Sequence, residues 1–340
     1  MPPKPGVIPL GPLRLGDILS GAFTTVGRHG KQLYGVGAAA YGGALAVVVA
    51  AIAIAYSATA GHLDRLVSLS ADEDARTEDW VPVLVAFCVI ALVCLIVGVL
   101  STALMYAAVP SVLQEAVLGR PTTFSAVWRR AWARVPAVIG TVFLTSLIAM
   151  IPLVLVWAGV VALIVGLAGS GGGDGVSITL IVIGVLGALA TAPLALWLWV
   201  KFSLAPSAAV FENQGPVAAM RRSSVLVRGD WWRIFGITLL AGAMATVASY
   251  VIQLPFTFLG MFSGMLGSAG LSDDPNAASI VVAMSGYLLA LLVGQLVSQL
   301  VVATFPPLVT GLLYVDRRIR TEDLGPVLAQ AAAVPPQYAG

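Results

Sequence analysis

Six long apolar stretches without a charged residue run through this chain of 340 residues. Each is long enough to cross a bilayer, because a spanning helix needs roughly 20 apolar residues. A backbone inside lipid must satisfy its own hydrogen bonds, so such stretches form helices. The sequence therefore predicts an all-α, polytopic bundle of six transmembrane helices. The expected spans are residues 35–56, 81–109, 135–169, 176–200, 234–262 and 278–315.

The overall composition excludes a soluble globular fold. Hydrophobic residues make up 59% of the chain and charged residues 10%, and the mean hydropathy is +0.97. Soluble domains carry about 25% charged residues. We therefore expect one membrane domain over residues 13–324, with disordered cytoplasmic segments at 1–12 and 325–340. Whether the third apolar stretch is a single tilted span stays open at this point.

The segments between the spans alternate between basic and acidic. Of the 18 Lys and Arg residues, 16 lie in four segments that alternate with three acidic ones, and only Arg65 and Arg76 lie elsewhere. Lys and Arg are retained preferentially on the cytoplasmic side of a membrane. The pattern therefore predicts a multi-pass protein whose two termini are both cytoplasmic.

A basic amphipathic segment precedes the third span, with apolar residues at helical spacing and arginines on the opposite side. The apolar positions are Phe124, Val127, Trp128, Ala131, Trp132 and Val135, and the basic ones are Arg129, Arg130 and Arg134. Such a helix lies in the membrane interface with its basic side toward anionic headgroups. Residues 15–26 repeat the spacing before the first span. A weaker version at 217–231 precedes the fifth, with Arg221, Arg222 and Arg228 off the apolar stripe.

Two interpretations of these interfacial helices stay open. They are either plain juxtamembrane helices, or their arginines bind anionic lipid headgroups or an acidic segment of a partner. Their recurrence also suggests three repeated units of interfacial helix, span and return span. An offset of 96 residues supports the repeat for the second and third units, since it pairs Pro110 with Pro206 and Gly119 with Gly215.

Three tracts of the chain resemble a known membrane-domain family. They are PLRLGDILSGAF at residues 12–23, LAPSAAVFENQGPVAAMRRSS at 204–224 with its continuation VRGDWWR at 227–233, and LYVDRRIRTEDL at 313–324. They are similar to the glycerophosphoryl diester phosphodiesterase membrane-domain family, common in actinobacteria and firmicutes. The resemblance implies a six-span bundle of a bacterial plasma membrane whose molecular function is poorly defined. The phosphodiesterase activity of that family belongs to a soluble barrel, which needs about 250 residues, and this chain has no room for one.

No residue pattern in the sequence indicates catalysis. The only histidines are His29 and His62, and neither has a second His, a Cys or a paired carboxylate at metal-ligand spacing. Cys88 and Cys94 lie six residues apart in one apolar stretch, which favours neither a disulfide nor a metal site. The acidic run at 72–74 is more typical of a solvated loop than of a cation site. We therefore expect no enzyme activity, no catalytic residue, no metal and no cofactor.

The six spans contain no charged side chain, and their largest polar groups are glutamine amides. Intramembrane charges usually mark ion or proton pathways, so a charge-lined channel or a proton-coupled pump is not expected. Gln253, Gln295 and Gln299 are predicted to point into the bundle as a polar cluster, either as interhelical hydrogen bonds or as a substrate site. Three seams of small residues predict close helix packing: Gly35, Ala39 and Gly43; Ala241, Ala245 and Ser249; Gly260 and Gly264.

Two classes of function remain after these exclusions, and an intramembrane enzyme is the least supported class. The first is a noncatalytic integral membrane protein, a scaffold or accessory component of a membrane complex or of lipid and envelope homeostasis. The alternative is a transporter of a lipid or neutral small molecule that uses the glutamine cluster. The expected partners are the lipid bilayer, anionic headgroups at the cytoplasmic face and an unidentified membrane protein, with no nucleic acid.

Overall fold

The computed structural model describes residues 5–67, 77–169, 175–268 and 277–333. These ranges contain nine helices and no strand. The helices are α1 (Leu15–Val67), α2 (Thr77–Val117), α3 (Phe124–Gly169), α4 (Gly175–Phe202), α5 (Ala205–Phe211), α6 (Pro216–Leu226), α7 (Trp231–Ser268), α8 (Ala277–Glu322) and α9 (Leu324–Ala333). Six helical segments are long and apolar enough to span a membrane. The predicted all-α bundle with six spans is therefore confirmed.

The spanning helices are arranged as three hairpins. α1 packs on α2, α3 packs on α4, and α7 packs on α8. Small residues bring α7 and α8 together: Gly260 and Gly264 both lie against Tyr287, and Ala241 and Ala245 are buried. The close packing predicted for the two seams on α7 is therefore confirmed.

The three hairpins follow the order of the predicted repeat but differ from one another in local conformation. Gly119 has a φ of 72°, whereas Gly215, its partner at the 96-residue offset, has a φ of −71°. Pro110 lies inside α2, while Pro206 lies in the first turn of the separate helix α5. The backbone therefore differs between the units at both of these equivalent pairs of positions.

The three amphipathic segments join their spans in different ways. α1 bends at His29, whose φ of −116° and ψ of 17° interrupt the helix. α3 continues through all of its 46 residues, which is about 70 Å at 1.5 Å per residue. The third apolar stretch is thus one helix, and the interfacial helix expected before it is the first part of α3. The two parts are continuous because Val127, Ala131 and Val138 form one buried face. The segment before α7 is a separate helix, α6.

The hydrophobic core lies at one end of the bundle, which we call the charged end. This end comprises residues 5–14, the C-terminal part of α2 with its connection to α3, residues 203–226, the start of α7 and the C-terminal part of α8. Ile8, Leu113, Leu204, Ile234 and Leu308 are all fully buried there. In contrast, none of the most apolar 18 residues of α2 is buried, and only 6% of those of α1 are. The hairpins therefore pack together at the charged end and leave apolar faces open farther along.

Residues 5–13, which we call the N-terminal strap, are packed into the charged end. Val7 and Ile8 are buried, and the Val7 amide donates to the carbonyl oxygen of Ala116 at 3.2 Å. Ile8 also lies against Gly21 of α1. The prediction that the first 12 residues are disordered is therefore wrong from Pro5 onward, because apolar side chains of the strap fill a groove between helices. The first four residues lie outside the described ranges.

The chain beyond α8 also folds back onto the charged end. It forms α9, and Arg120 donates from Nη2 to the carbonyl oxygen of Ala331 at 2.9 Å. Gly325 approaches the strap so closely that a Cβ there would lie 3.0 Å from the carbonyl oxygen of Leu10. The prediction of disorder over 325–340 is wrong for residues 325–333, since α9 has both of these contacts. Residues 334–340 lie outside the described part of the chain.

Replacing Gly6 by Ala is expected to destabilise the charged end, because a Cβ there would collide with the carbonyl oxygens of Ala116 and Val117. Such overpacking costs about 1–3 kcal/mol and will lower the thermal unfolding temperature of the purified protein. Gly16→Ala is the matched control, since a Cβ at Gly16 meets nothing within 4 Å and Ala stabilises a helix by about 0.5–1 kcal/mol over Gly. Equal unfolding temperatures for the two variants would contradict the packing of the strap.

Candidate functional site

A buried carboxylate organises the charged end. Asp316 of α8 is fully buried, and its Oδ1 accepts a hydrogen bond from the Leu13 amide at 2.7 Å. Its Oδ2 accepts one from Nη1 of Arg233 at 2.6 Å, and Nε of Arg320 lies 3.0 Å from Oδ1. Both guanidinium groups also donate to the carbonyl oxygen of Leu13, at 2.9 and 2.8 Å. One carboxylate therefore connects the strap, the start of α7 and the end of α8.

A second cluster forms around Glu212, which directly follows α5. Glu212 accepts hydrogen bonds from Nε of Arg222, at 2.8 Å, and from the hydroxyl of Tyr314. Arg222 also pairs with Glu322, and Nε of Arg318 lies 2.9 Å from the same carboxylate. Burial alone would lower the pKa of Arg222, but its hydrogen bonds to Glu212 and Glu322 raise it above the ordinary value. Arg222 therefore stays a cation. It connects α6 to Glu212, which follows α5, and to Glu322 at the end of α8.

Arg317 forms a third contact, at the C-terminal end of α6. Its guanidinium pairs with Asp230 and donates from Nε to the carbonyl oxygen of Leu226 at 2.8 Å. Its Nη2 donates to the carbonyl oxygen of Arg228 at 3.1 Å. Carbonyl groups at a helix C-terminus lack partners within the helix, and basic side chains near that end can supply them. Arg317 therefore holds the turn between α6 and α7 against α8.

These charged groups are joined in an arrangement that suits structural support. Asp316, Glu212, Asp230 and Glu322 each pair with an arginine, and Glu115 pairs with Arg130 at 2.7 Å. Over the described ranges, no group of three His, Cys, Asp or Glu residues is placed to hold a metal ion. These ion pairs hold the ends of the helices and their connections together.

The six arginines predicted to contact anionic lipid or a partner fall into two groups. Arg129, Arg221 and Arg228 are exposed, and Arg134 is half-buried. Arg130, also exposed, is paired with Glu115. The guanidinium of Arg222 is paired with Glu212 and Glu322 of the same chain. Its acidic partners come from two other elements, which is why a pattern along one helix could not reveal them.

The three glutamines are not gathered into one cluster. Oε1 of Gln253 accepts a hydrogen bond from the buried Ser298 hydroxyl at 3.0 Å. Gln299 is half-buried, and Gln295 is exposed. The prediction that all three point into the bundle is therefore wrong for Gln295. The buried row of α8 consists of Ala290, Gly294 and Ser298, and Gln295 lies one position, about 100°, off that row.

Sequence reasoning missed the residues at the centre of the network. Asp316 and Arg233 entered only as members of basic segments or of family-like tracts, without a role. A signal was present in the spacing at the end of the last span, where Asp316 and Arg320 are four residues apart and share a helix face. Their third partner, Leu13, is 303 residues away from Asp316 and bonds through its backbone, which leaves no trace in side-chain patterns.

Asp316→Asn is expected to destabilise the protein by about 1.5–3 kcal/mol, the usual contribution of a hydrogen bond to a charged group, because Asp316 is buried while its partners Arg233 and Arg320 are partly exposed. Thermal or denaturant unfolding in detergent measures the loss. Asp323→Asn is the control: Asp323 is exposed and has a φ of 53°, a region that Asn also adopts readily, so its stability changes by less than about 0.5 kcal/mol. Similar small losses for both variants would show that Asp316 does not organise the charged end.

Comparison with known proteins places the chain in a family without assigning a function. No curated protein and no solved structure matches it. The resemblance to the glycerophosphoryl diester phosphodiesterase membrane domain stays a prediction. Residues 13–315 match a family described as a domain of unknown function (DUF7847). Because this match covers most of the 340 residues, the chain belongs to the DUF7847 family.

Proposed function

We propose that the protein is a noncatalytic scaffold of the membrane, which holds a transmembrane helix of a partner protein against its α1–α2 hairpin. The observation that carries this proposal is the open seam of small residues on α1. Ala39 and Gly43 are exposed, and a Cβ at Gly43 would meet nothing within 4 Å. Ala46 and Ala50 extend the seam at helical spacing and are exposed as well. Close packing was predicted here, yet only Gly35 of the predicted trio approaches another helix, at Phe124.

Seams of this kind bring helix backbones close together in membranes, where van der Waals packing drives helix association. The α7–α8 hairpin of this chain shows such a seam with a helix packed on it, since Gly260 and Gly264 of α7 lie against Tyr287 of α8. The α1 seam has the same composition, and Ala39, Gly43, Ala46 and Ala50 stay exposed within the described ranges of the chain. A transmembrane helix from another protein fits such a surface.

The neighbouring helix α2 enlarges the open surface. Large apolar side chains lie exposed along it, among them Phe87, Leu92, Leu95 and Ile96. These bulky side chains flank the α1 seam, which admits a helix backbone. The closed charged end supports the same role, because its ion pairs fasten the hairpins and fix where the open face points.

The proposed scaffold is favoured over a transporter of a lipid or neutral small molecule. The transporter alternative depended on three glutamines acting together at membrane depth. The hydrogen bond between Gln253 and Ser298 joins α7 to α8, and the exposed Gln295 does not share that contact. The arrangement supports helix pairing.

Gly43→Leu is expected to displace the partner helix, because the new side chain would fill the seam. Overpacking costs about 1–3 kcal/mol, so recovery of the partner from native-lipid discs, measured by quantitative mass spectrometry, should fall roughly tenfold. Gly42→Leu is the matched control. A Cβ at Gly42 also meets nothing within 4 Å, but it points about 100° away from the seam. The proposal fails if no stoichiometric membrane protein copurifies, if a second copy of this chain is recovered instead, or if both variants retain the partner equally.

We also propose that the protein resides in a bacterial plasma membrane with both termini in the cytoplasm, on the basis of the Lys and Arg distribution. A fluorescent protein fused after residue 340 should fluoresce, and a periplasmic phosphatase fused there should be inactive. Fusions truncated after residue 172 should give the opposite pair of results, since that position follows three spans. Phosphatase activity at the C-terminus would reverse the proposed orientation.

A further inference from the structure

A cavity of about 720 Å³ lies between the α3–α4 hairpin and the α7–α8 hairpin. Ligand sites in proteins commonly measure about 300–1,000 Å³. The cavity is bounded by residues 142–146 of α3, 199–203 at the end of α4, 238–247 of α7 and 306–310 of α8, together with Tyr106 of α2 and Pro206 of α5. Trp199 and Val247 line it and are exposed, so it opens sideways, toward the bilayer. A ligand can therefore enter from the lipid phase without passing the charged end.

The wall of the cavity is neutral but not uniformly apolar. Among the described residues that line it, none is charged. An anionic headgroup would find no cation inside, and burying an unpaired charge is costly. The wall does carry a concentration of hydroxyl groups: Tyr106, Thr145, Ser146, Ser203, Thr238, Thr246 and Thr310. The site therefore suits a neutral molecule that has both an apolar body and a hydrogen-bonding group.

Several of these hydroxyls present lone pairs to the cavity, because their own protons are engaged. Thr145 donates to the carbonyl oxygen of Thr141 at 2.7 Å, and Thr238 donates to that of Ile234 at 2.8 Å. Thr310 likewise donates to the carbonyl oxygen of Pro307, at 3.1 Å. A hydroxyl that donates to its own helix keeps acceptor capacity for a ligand.

The wall presents donors as well as these threonine acceptors, because Tyr106 brings a phenol O–H and Trp199 an indole N–H to the same cavity. An uncharged hydroxyl can donate to the threonine oxygens and accept from such donors. The matching ligand group is therefore a neutral alcohol.

We propose that this cavity binds a neutral lipid alcohol of the diacylglycerol type. The free hydroxyl lies near Thr238 and Thr310, the lining threonines closest to the charged end, and an acyl chain extends past Val247 into the bilayer. This binding does not depend on the capture of a partner helix by α1, which lies on another hairpin. It requires no movement of the lipid across the membrane.

The test uses the full-length protein in detergent and a diacylglycerol that carries a photoreactive diazirine on one acyl chain. Mass spectrometry of the crosslinked peptides should place the label within residues 142–146 or 238–247. A phosphatidate with the same labelled chain should react roughly tenfold less, because its charge has no partner in the wall. Equal labelling by the two lipids would overturn the proposal and indicate general lipid contact.

Gly242→Leu provides the blocking variant. Gly242 lines the cavity, and a Cβ there meets nothing within 4 Å, so a leucine side chain occupies ligand space without disturbing the helix backbone. Labelling should fall roughly tenfold, as steric exclusion requires. Gly236→Leu on the same helix is the control, since it is equally unobstructed and lies outside the wall. Undiminished labelling of the Gly242 variant would also overturn the proposal.

A paired substitution tests recognition of the hydroxyl itself. Thr238→Val with Thr310→Val removes two acceptors while keeping the side-chain shape. Unsubstituted protein should prefer the lipid alcohol over its O-methyl ether by roughly fivefold, about the size of one net hydrogen bond, and the double variant should lose that preference. If the unsubstituted protein labels equally with alcohol and ether, the cavity does not recognise the hydroxyl and the proposed ligand class is wrong.

Discussion

Asp316 has no exposed surface, and a carboxylate in that position is tolerated only with its cationic and amide partners in place. The desolvation of such an ion costs several kcal/mol. Its partners come from α7, from the following turn of α8 and from the strap, so these three elements occupy one defined arrangement. Neighbouring residues extend the contact in other directions. Tyr314 and Arg318 face Glu212, while Arg317 faces the α6–α7 turn. The 100° step between successive helical residues lets one helix end fasten several elements.

The bundle joins two kinds of packing along its length. At the charged end, buried apolar side chains and ion pairs form a core like that of a soluble protein, in which each polar group needs a partner. Farther along, apolar faces of α1 and α2 are open, which lipid permits because its tails are as apolar as the side chains themselves. The charged end therefore fixes the arrangement of the helices. The open apolar regions provide the surfaces on which we base the partner seam and the lipid cavity.

The elements that sequence reasoning located correctly are those governed by local rules. Membrane thickness sets the minimum length of a span, so hydropathy predicted six of them, and the described ranges contain six helical segments long and apolar enough to cross a membrane. Helical periodicity identified Val127 and Ala131 as one face, and that face is buried. The strap was missed because Val7 and Ile8 form too short an apolar run to show a period, and their partners lie far away in the sequence. The error at Gln295 has a different origin, since one step of 100° separates the buried row of α8 from the exposed surface.

The hydrogen bond between Leu13 and Asp316 joins residues 303 positions apart. Chains are synthesised from the N-terminus at about 5–20 residues per second, so the strap leaves the ribosome long before its anchor exists. The first two hairpins enter the membrane when Val7 and Ile8 already have their partners in α1 and α2, but Leu13 still lacks its own. Completion of the last helix supplies Asp316 and Arg320, and the end of the strap is then fixed. A chain truncated before α8 therefore holds the strap without the Asp316 carboxylate, so the arrival of the last helix completes the fold at the first residues of the chain.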